Sequence, residues 1–135
     1  MKAVDTNVLA RFFVDDPDDP EAARQRPRAV RAMAEPVFVP VTVMLELEWV
    51  LRGFYELRPG DVARIVRALC GLANVALDDR DAVLTALDRY EEGMDFADAL
   101  HLARSGRCSA LLTFDRRLAR RAARARSGPR VELLR

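Results

Sequence analysis

Four acids, Asp5, Glu46, Asp98 and Asp115, are the side chains of this 135-residue sequence whose types and positions best support joint chemistry. Asp5 ends the short apolar run Ala3 Val4 and precedes the helix-like stretch Val8 to Phe13. Asp115 ends the apolar run Ala110 to Phe114 and precedes an Arg-rich helix. Asp98 falls in the first turn of a helix capped by Asp95, and Glu46 sits one turn into the helix that follows Val37 Phe38 Val39. In a parallel sheet with returning helices, strand C-termini and helix N-termini share one edge, where ligands bind, so the pattern predicts all four carboxylates at one rim. Each alone is an ordinary helix cap or first-turn acid. Crowded together they raise one another's pKa and call for a cation. With oxygen donors and no His or Cys at zinc spacing, the expected ion is Mg²⁺ or Mn²⁺, with Asp5 and Asp98 as ligands and Glu46 and Asp115 as further candidates. One such ion activates water and polarises a phosphodiester, and two clamp the attacking and leaving oxygens. The spacing leaves the number of ions open.

Weaker candidates surround the acids. Thr6, Asn7 and Thr113 are placed to hydrogen-bond the carboxylates, although Thr6 and Asn7 would equally cap the first helix. His101, one turn past Asp98, is expected to be a packed side chain on an apolar helix rather than a general base. Arg116, Arg117, Arg120, Arg121 and Arg124 offer a nucleic-acid backbone a row of cations, or simply make a solvated face. In Glu46 Leu47 Glu48 the two acids point to different faces. Glu48 has Arg52 four residues on and reads as a surface ion pair. Glu46 reads as the chemical one, set against apolar surface near the helix start.

The elements that would position these residues follow from patterning. A strand at the N-terminus leads into the Val8 to Phe13 helix, and an acidic Pro-containing loop, Asp15 to Glu21, leads into a segment from Ala22 to Ala34 that Pro27 should split into two short helical pieces. A doubly buried strand, Val37 to Val39, precedes a helix from Val41 to Leu57 ended by Pro59 and Gly60, then a helix from Asp61 to Leu72 with Asp61 as N-cap. Val75 to Leu77 forms a brief strand. The helix Asp79 to Glu92 closes at Gly93 in a left-handed cap, Asp95 caps the next, and a buried strand, Ala110 to Phe114, leads to a helix from Arg116 to Arg126. Ser127 Gly128 Pro129 turn into a last strand, Val131 to Leu134. Alternating strands and helices give an α/β class with a mainly parallel sheet of four to five strands. The helix from Val41 carries apolar residues wider than one stripe, so it is covered on more than one side, within the domain or by a second subunit.

Composition bounds the rest. The length fits one domain, residues 1–135, with 50% apolar and 32% charged residues and no run near the ~20 apolar residues of a membrane span. No signal-peptide pattern is seen at the N-terminus, so the expected location is cytoplasmic. Cys70 and Cys108 stand far apart and are expected to be buried thiols. Net charge is +1, but residues 99–135 carry 10 basic and 2 acidic groups while residues 61–98 carry 4 and 9. That asymmetry permits a phosphate-bearing partner at the C-terminal third. Arg outnumbers Lys 21 to 1.

Taken together, Val4 Asp5 Thr6 Asn7 Val8 Leu9, Glu46 Leu47 Glu48 Trp49 Val50 Leu51 Arg52, Phe96 Ala97 Asp98 Ala99 Leu100 His101 Leu102 Ala103, and Leu112 Thr113 Phe114 Asp115 resemble the PIN-domain ribonucleases, and within them the VapC toxins of toxin-antitoxin modules. Each block alone is weak, and four in order over nearly the whole chain are specific. The resemblance implies a PIN-like three-layer α/β/α fold and a metal-dependent endoribonuclease acting on RNA. It also implies a homodimer held inactive by a small antitoxin whose tail enters the acidic groove. Pro27 departs from the unbroken helix of that family. The competing reading is a catalytically idle PIN-like module that binds RNA or protein. An aspartate-nucleophile phosphatase needs a second Asp where Asn7 stands, and a receiver domain needs a late lysine, whereas Lys2 is the one lysine present. No stacking platform is evident among the scattered aromatics.

Overall fold

Val37 and Val39 are buried and Phe38 half-buried in β2 (Val37–Val39), the middle strand of a three-stranded parallel set. In the computed structural model, which describes residues 1–124 and 128–135, β2 pairs on one side with β1 (Lys2–Ala3) and on the other with β3 (Val75–Leu77), in register Ala3↔Phe38↔Ala76. A second parallel pair joins β4 (Ala110–Thr113) to β5 (Arg130–Leu133), with Leu111 opposite Val131. Seven helices connect these strands among the described residues: α1 (Thr6–Phe13), α2 (Pro20–Met33), α3 (Val41–Gly53), α4 (Pro59–Cys70), α5 (Arg80–Glu91), α6 (Phe96–Ala103) and α7 (Arg116–Ala123). The result is the expected mixed α/β class with parallel strands. By its internal contacts the chain forms two compact units, Met1–Arg80 and Asp81–Arg135.

In the first unit, α1 buries Leu9 and Ala10 and α2 buries Ala22, Ala29 and Met33, while α3 and α4 contribute Met44, Leu47, Leu51, Val62, Val66 and Leu69. Removing these apolar side chains from water is the main favourable term in holding the unit together. Here α2 departs from expectation: one helix runs through Pro27 where two pieces were predicted. Asp19 caps it, accepting from the Glu21 and Ala22 N–H groups, and Pro20 opens it. Pro27 and Ala23 both lie on the exposed face, so the carbonyl that loses its donor turns toward water, and contacts with α1 hold the helix across the gap.

Two boundaries also move. Helix α3 ends at Gly53, four residues before the predicted Leu57, because Glu56 takes a left-handed φ of 57° and the Leu57 N–H turns back to the Leu51 carbonyl at 3.0 Å. Pro59 does not end a helix; it begins α4, where its missing N–H has no partner to lose and its fixed φ suits the first turn. Asp61 is therefore a first-turn acid, 3.2 Å from Arg64, rather than the N-cap.

In the second unit, Val83, Ala86, Leu87, Phe96, Ala99 and Leu102 are buried, and the Tyr90 and Phe96 rings meet edge to face at 5.5 Å. Gly93 does supply the left-handed cap after α5, with φ 106°, and a Cβ there would stand 2.6 Å from the Arg121 guanidinium. The β4 segment is not the buried strand predicted. Leu112 and Phe114, two apart and so on one face, are exposed, and among the described residues β4 pairs with β5 alone. Helix α7 ends at Ala123 with Arg124 as its C-cap, short of the predicted Arg126, while the rest of the predicted extension and the turn residue Ser127 lie outside the described residues. Of the two thiols Cys70 is buried, with its pKa raised by desolvation, whereas Cys108 is exposed on the loop before β4, contrary to expectation. No helix of the described residues is long and apolar enough to cross a membrane.

Candidate functional site

Asp5 leaves β1 in extended conformation and caps α1, its carboxylate accepting from the Val8 N–H at 3.2 Å. The next residue, Thr6, is 4% exposed, and its hydroxyl donates to Glu46 Oε1 on α3. That hydrogen bond ties the strand-to-helix turn to the third helix and fixes the direction of the Glu46 carboxylate. Thr6 thereby takes the supporting role the sequence offered it, and Asn7, exposed beside it, instead lines a 260 Å³ cleft with Arg11 and Gln25.

The Glu46 and Glu48 environments are the reverse of those predicted. Glu46 is exposed, while Glu48 is 4% exposed and holds Arg52 Nε at 2.7 Å. The Glu48–Arg52 pair forms as expected, yet its Glu48 carboxylate is buried while Arg52 stays half-exposed, so it is not the fully solvated pair predicted. Helix phase explains the difference: Glu48 follows Leu47 and precedes Leu51 on the buried arc, and Glu46 falls between that arc and the exposed Trp49.

In the second unit the acids are close enough to act on one another. The Asp98 carboxyl is pushed above the ordinary aspartate range, first by burial, then by the Asp95 and Asp115 carboxylates, with His101 pulling the other way. Two of these groups are locked by backbone donors. Asp95 caps α6 by accepting from the Asp98 N–H at 3.1 Å, and Asp115 caps α7 by accepting from the Arg117 and Leu118 N–H groups at 2.8 and 3.1 Å. Thr113 contributes through the main chain, not through the Asp115 carboxylate: its hydroxyl accepts from the Asp115 N–H at 3.0 Å. His101 is exposed rather than packed. Asp95, an N-cap whose further contribution the sequence leaves open, also adds negative potential at Asp98, a coupling readable in its spacing of three residues at a helix start.

The four acids thus stand two in each unit, and among the described residues no three His, Cys, Asp or Glu side chains form a group that could hold an ion. Around Asp98 the Asp95 and Asp115 carboxylates add negative potential, which positive charge would relieve, and oxygen donors of this kind are the type a hard divalent cation takes, although the three do not by themselves form an ion-holding group. Of the arginines, Arg116 and Arg120 line a groove with Phe114, and Arg121 reaches back to the Glu92 carbonyl at 3.5 Å. Phe114 is the residue the sequence did not single out, because it was read as part of a buried strand.

No curated protein matches the chain. Residues 2–124 match the PIN domain, a family whose members are typically nucleases and generally use divalent metal ions. That span includes all four acids and both units' helical frameworks, and the chain therefore belongs to the PIN-domain family.

Proposed function

We propose that this protein is a metal-dependent endoribonuclease and the toxin of a VapBC-type toxin-antitoxin pair. The observation that carries the reading is the Asp98 environment, where two fixed carboxylates and partial burial hold a third at raised pKa in a chain that matches a nuclease family. Perturbed carboxylates of this kind cluster where charge is about to be handled. Asp5, Glu46, Asp98 and Asp115 are assigned as the catalytic acids, with Asp5 and Asp98 as the first candidates to hold Mg²⁺ or Mn²⁺. The ion, when bound, supplies Lewis-acid polarisation of the phosphodiester and a water of lowered pKa.

The chain's own groups set the geometry. Thr6 aims Glu46, and the α6 and α7 N–H groups hold Asp95 and Asp115. Such prior fixing spares reorganisation during the reaction. Arg116, Arg117 and Arg120 at the start of α7 are assigned to the RNA backbone. A small antitoxin and a second copy of the chain are the proposed protein partners. Incubation of the full chain with RNA and Mn²⁺ tests the enzyme reading: cleavage should vanish with EDTA and with Asp5→Asn. RNA binding without cleavage under all metal conditions would instead make the chain an idle binding module. A neighbouring reading frame that encodes a small DNA-binding protein, if found by sequencing the locus, would support the toxin role, and its absence would count against it.

A further inference from the structure

On either side of Asp115 in the chain, Phe114 and Arg116 open onto a groove of about 980 Å³, walled also by Leu133 and Leu134 and by the cations Arg120 and Arg135. No acidic side chain lines it among the described residues. Phe114 is 78% exposed, a large apolar ring left in water at the mouth of a cationic channel. Arg116 and Arg120 are one turn apart on α7, so the two like charges face the same side of the helix, an arrangement that costs local stability. Arg121 is drawn away to the Glu92 carbonyl, which leaves Arg116 and Arg120 to the groove.

We infer that Phe114 is a base-stacking platform and that this groove carries a single-stranded stretch of nucleic acid, with Arg116 and Arg120 on its phosphates. An exposed aromatic face flanked by guanidinium groups is how proteins hold unpaired bases without reading their sequence. A duplex hides its base faces and cannot use the ring. An acidic peptide would also answer the arginines. The position of Asp115 between Phe114 and Arg116 favours the nucleic acid, since a strand anchored on both neighbours is delivered to that acid. The inference deepens the nuclease reading and rests on it for the identity of the strand as RNA.

The test is fluorescence titration of the full chain with a ten-nucleotide unpaired RNA in EDTA, where binding proceeds without cleavage. In Phe114→Trp, indole emission should be quenched saturably beyond any change from Trp49 in the parent chain, at a Kd close to the parent's. Phe114→Leu, whose exposed position keeps the fold, should weaken Kd by about 5- to 100-fold, the loss of one base stack. Arg120→Gln should lower the slope of log affinity on log salt by about 0.7, one phosphate contact on a single strand. Unchanged Kd in Phe114→Leu together with no quenching in Phe114→Trp overturns the inference. So does quenching by an acidic peptide and not by RNA, which would give the groove to a protein. Parallel assays of RNA cleavage in Mn²⁺ separate the two claims. Cutting without any response at Phe114 sinks the platform alone, while stacking without cutting sinks the nuclease alone.

Discussion

The Asp98 carboxyl ionises against its own burial and against two neighbouring carboxylates. The sign follows directly. Its folded pKa lies above the unfolded value, so the folded state binds more protons between the two, and stability falls as pH rises through that window. Ionised Asp98 therefore destabilises the metal-free protein. Asp98→Asn is expected to raise its melting temperature by about 1 to 4 °C at pH 7 and to flatten the decline in stability from pH 4 upward, as scanning calorimetry would show. A lower melting temperature would mean that the carboxylate is favourably paired instead. The two glutamates of α3 separate in the same way. Glu46→Gln should slow RNA cleavage by at least ~100-fold, the scale of one charge-stabilising group, and leave stability nearly unchanged. Glu48→Gln should lose about 1 kcal/mol of stability, because the buried Glu48 carboxylate gives up its charge-assisted bond to the half-exposed Arg52, with cleavage within a few-fold of the parent, as urea unfolding and a rate assay on each would show. Reversed effects would reassign the chemistry to Glu48.

Helix α2 makes a prediction of its own. It runs through Pro27 with one carbonyl undonated, so Pro27→Ala should stabilise the chain by about 1 to 3 kcal/mol, read as a shift in urea midpoint at constant slope. Destabilisation would show that the proline sets a bend the packing needs. Most element identities were legible because apolar period, caps and turn residues agreed, as at Asp95 before α6, Asp115 before α7 and Gly93 after α5. The misreadings share a cause. Pro27, Pro59 and Leu57 were judged by local propensity, and each was decided by what surrounds it: an exposed face for Pro27, a helix start for Pro59, a left-handed residue at Glu56. For the site, Asp5, Asp98 and Asp115 were readable as acids at strand ends and helix starts. The burial of Glu48 and the exposure of Glu46 and Phe114 were not, because one step of helix phase or one missing strand neighbour moves a side chain between core and water.

The whole molecule carries unpartnered apolar surface on α3 and just after it, where Trp49 is 62% and Phe54 67% exposed. Large aromatics in water are typical anchors of protein interfaces. Light scattering at tens of micromolar, a concentration that populates micromolar contacts, should return about twice the 15.2 kDa chain mass, and Trp49→Glu should return the monomer. A monomeric parent would leave this surface to the proposed antitoxin or to the interior of a larger assembly. The claim on which everything else depends is that the acids drive phosphodiester hydrolysis with a divalent ion. Single-turnover cleavage of an unpaired RNA by the full chain, parent against Asp98→Asn, tests it most directly. Cleavage is expected in Mn²⁺ or Mg²⁺ and none in EDTA, with a rate in Asp98→Asn at least ~100-fold lower and circular dichroism unchanged. Cleavage that persists in EDTA, or an Asp98→Asn rate equal to the parent's, would contradict it.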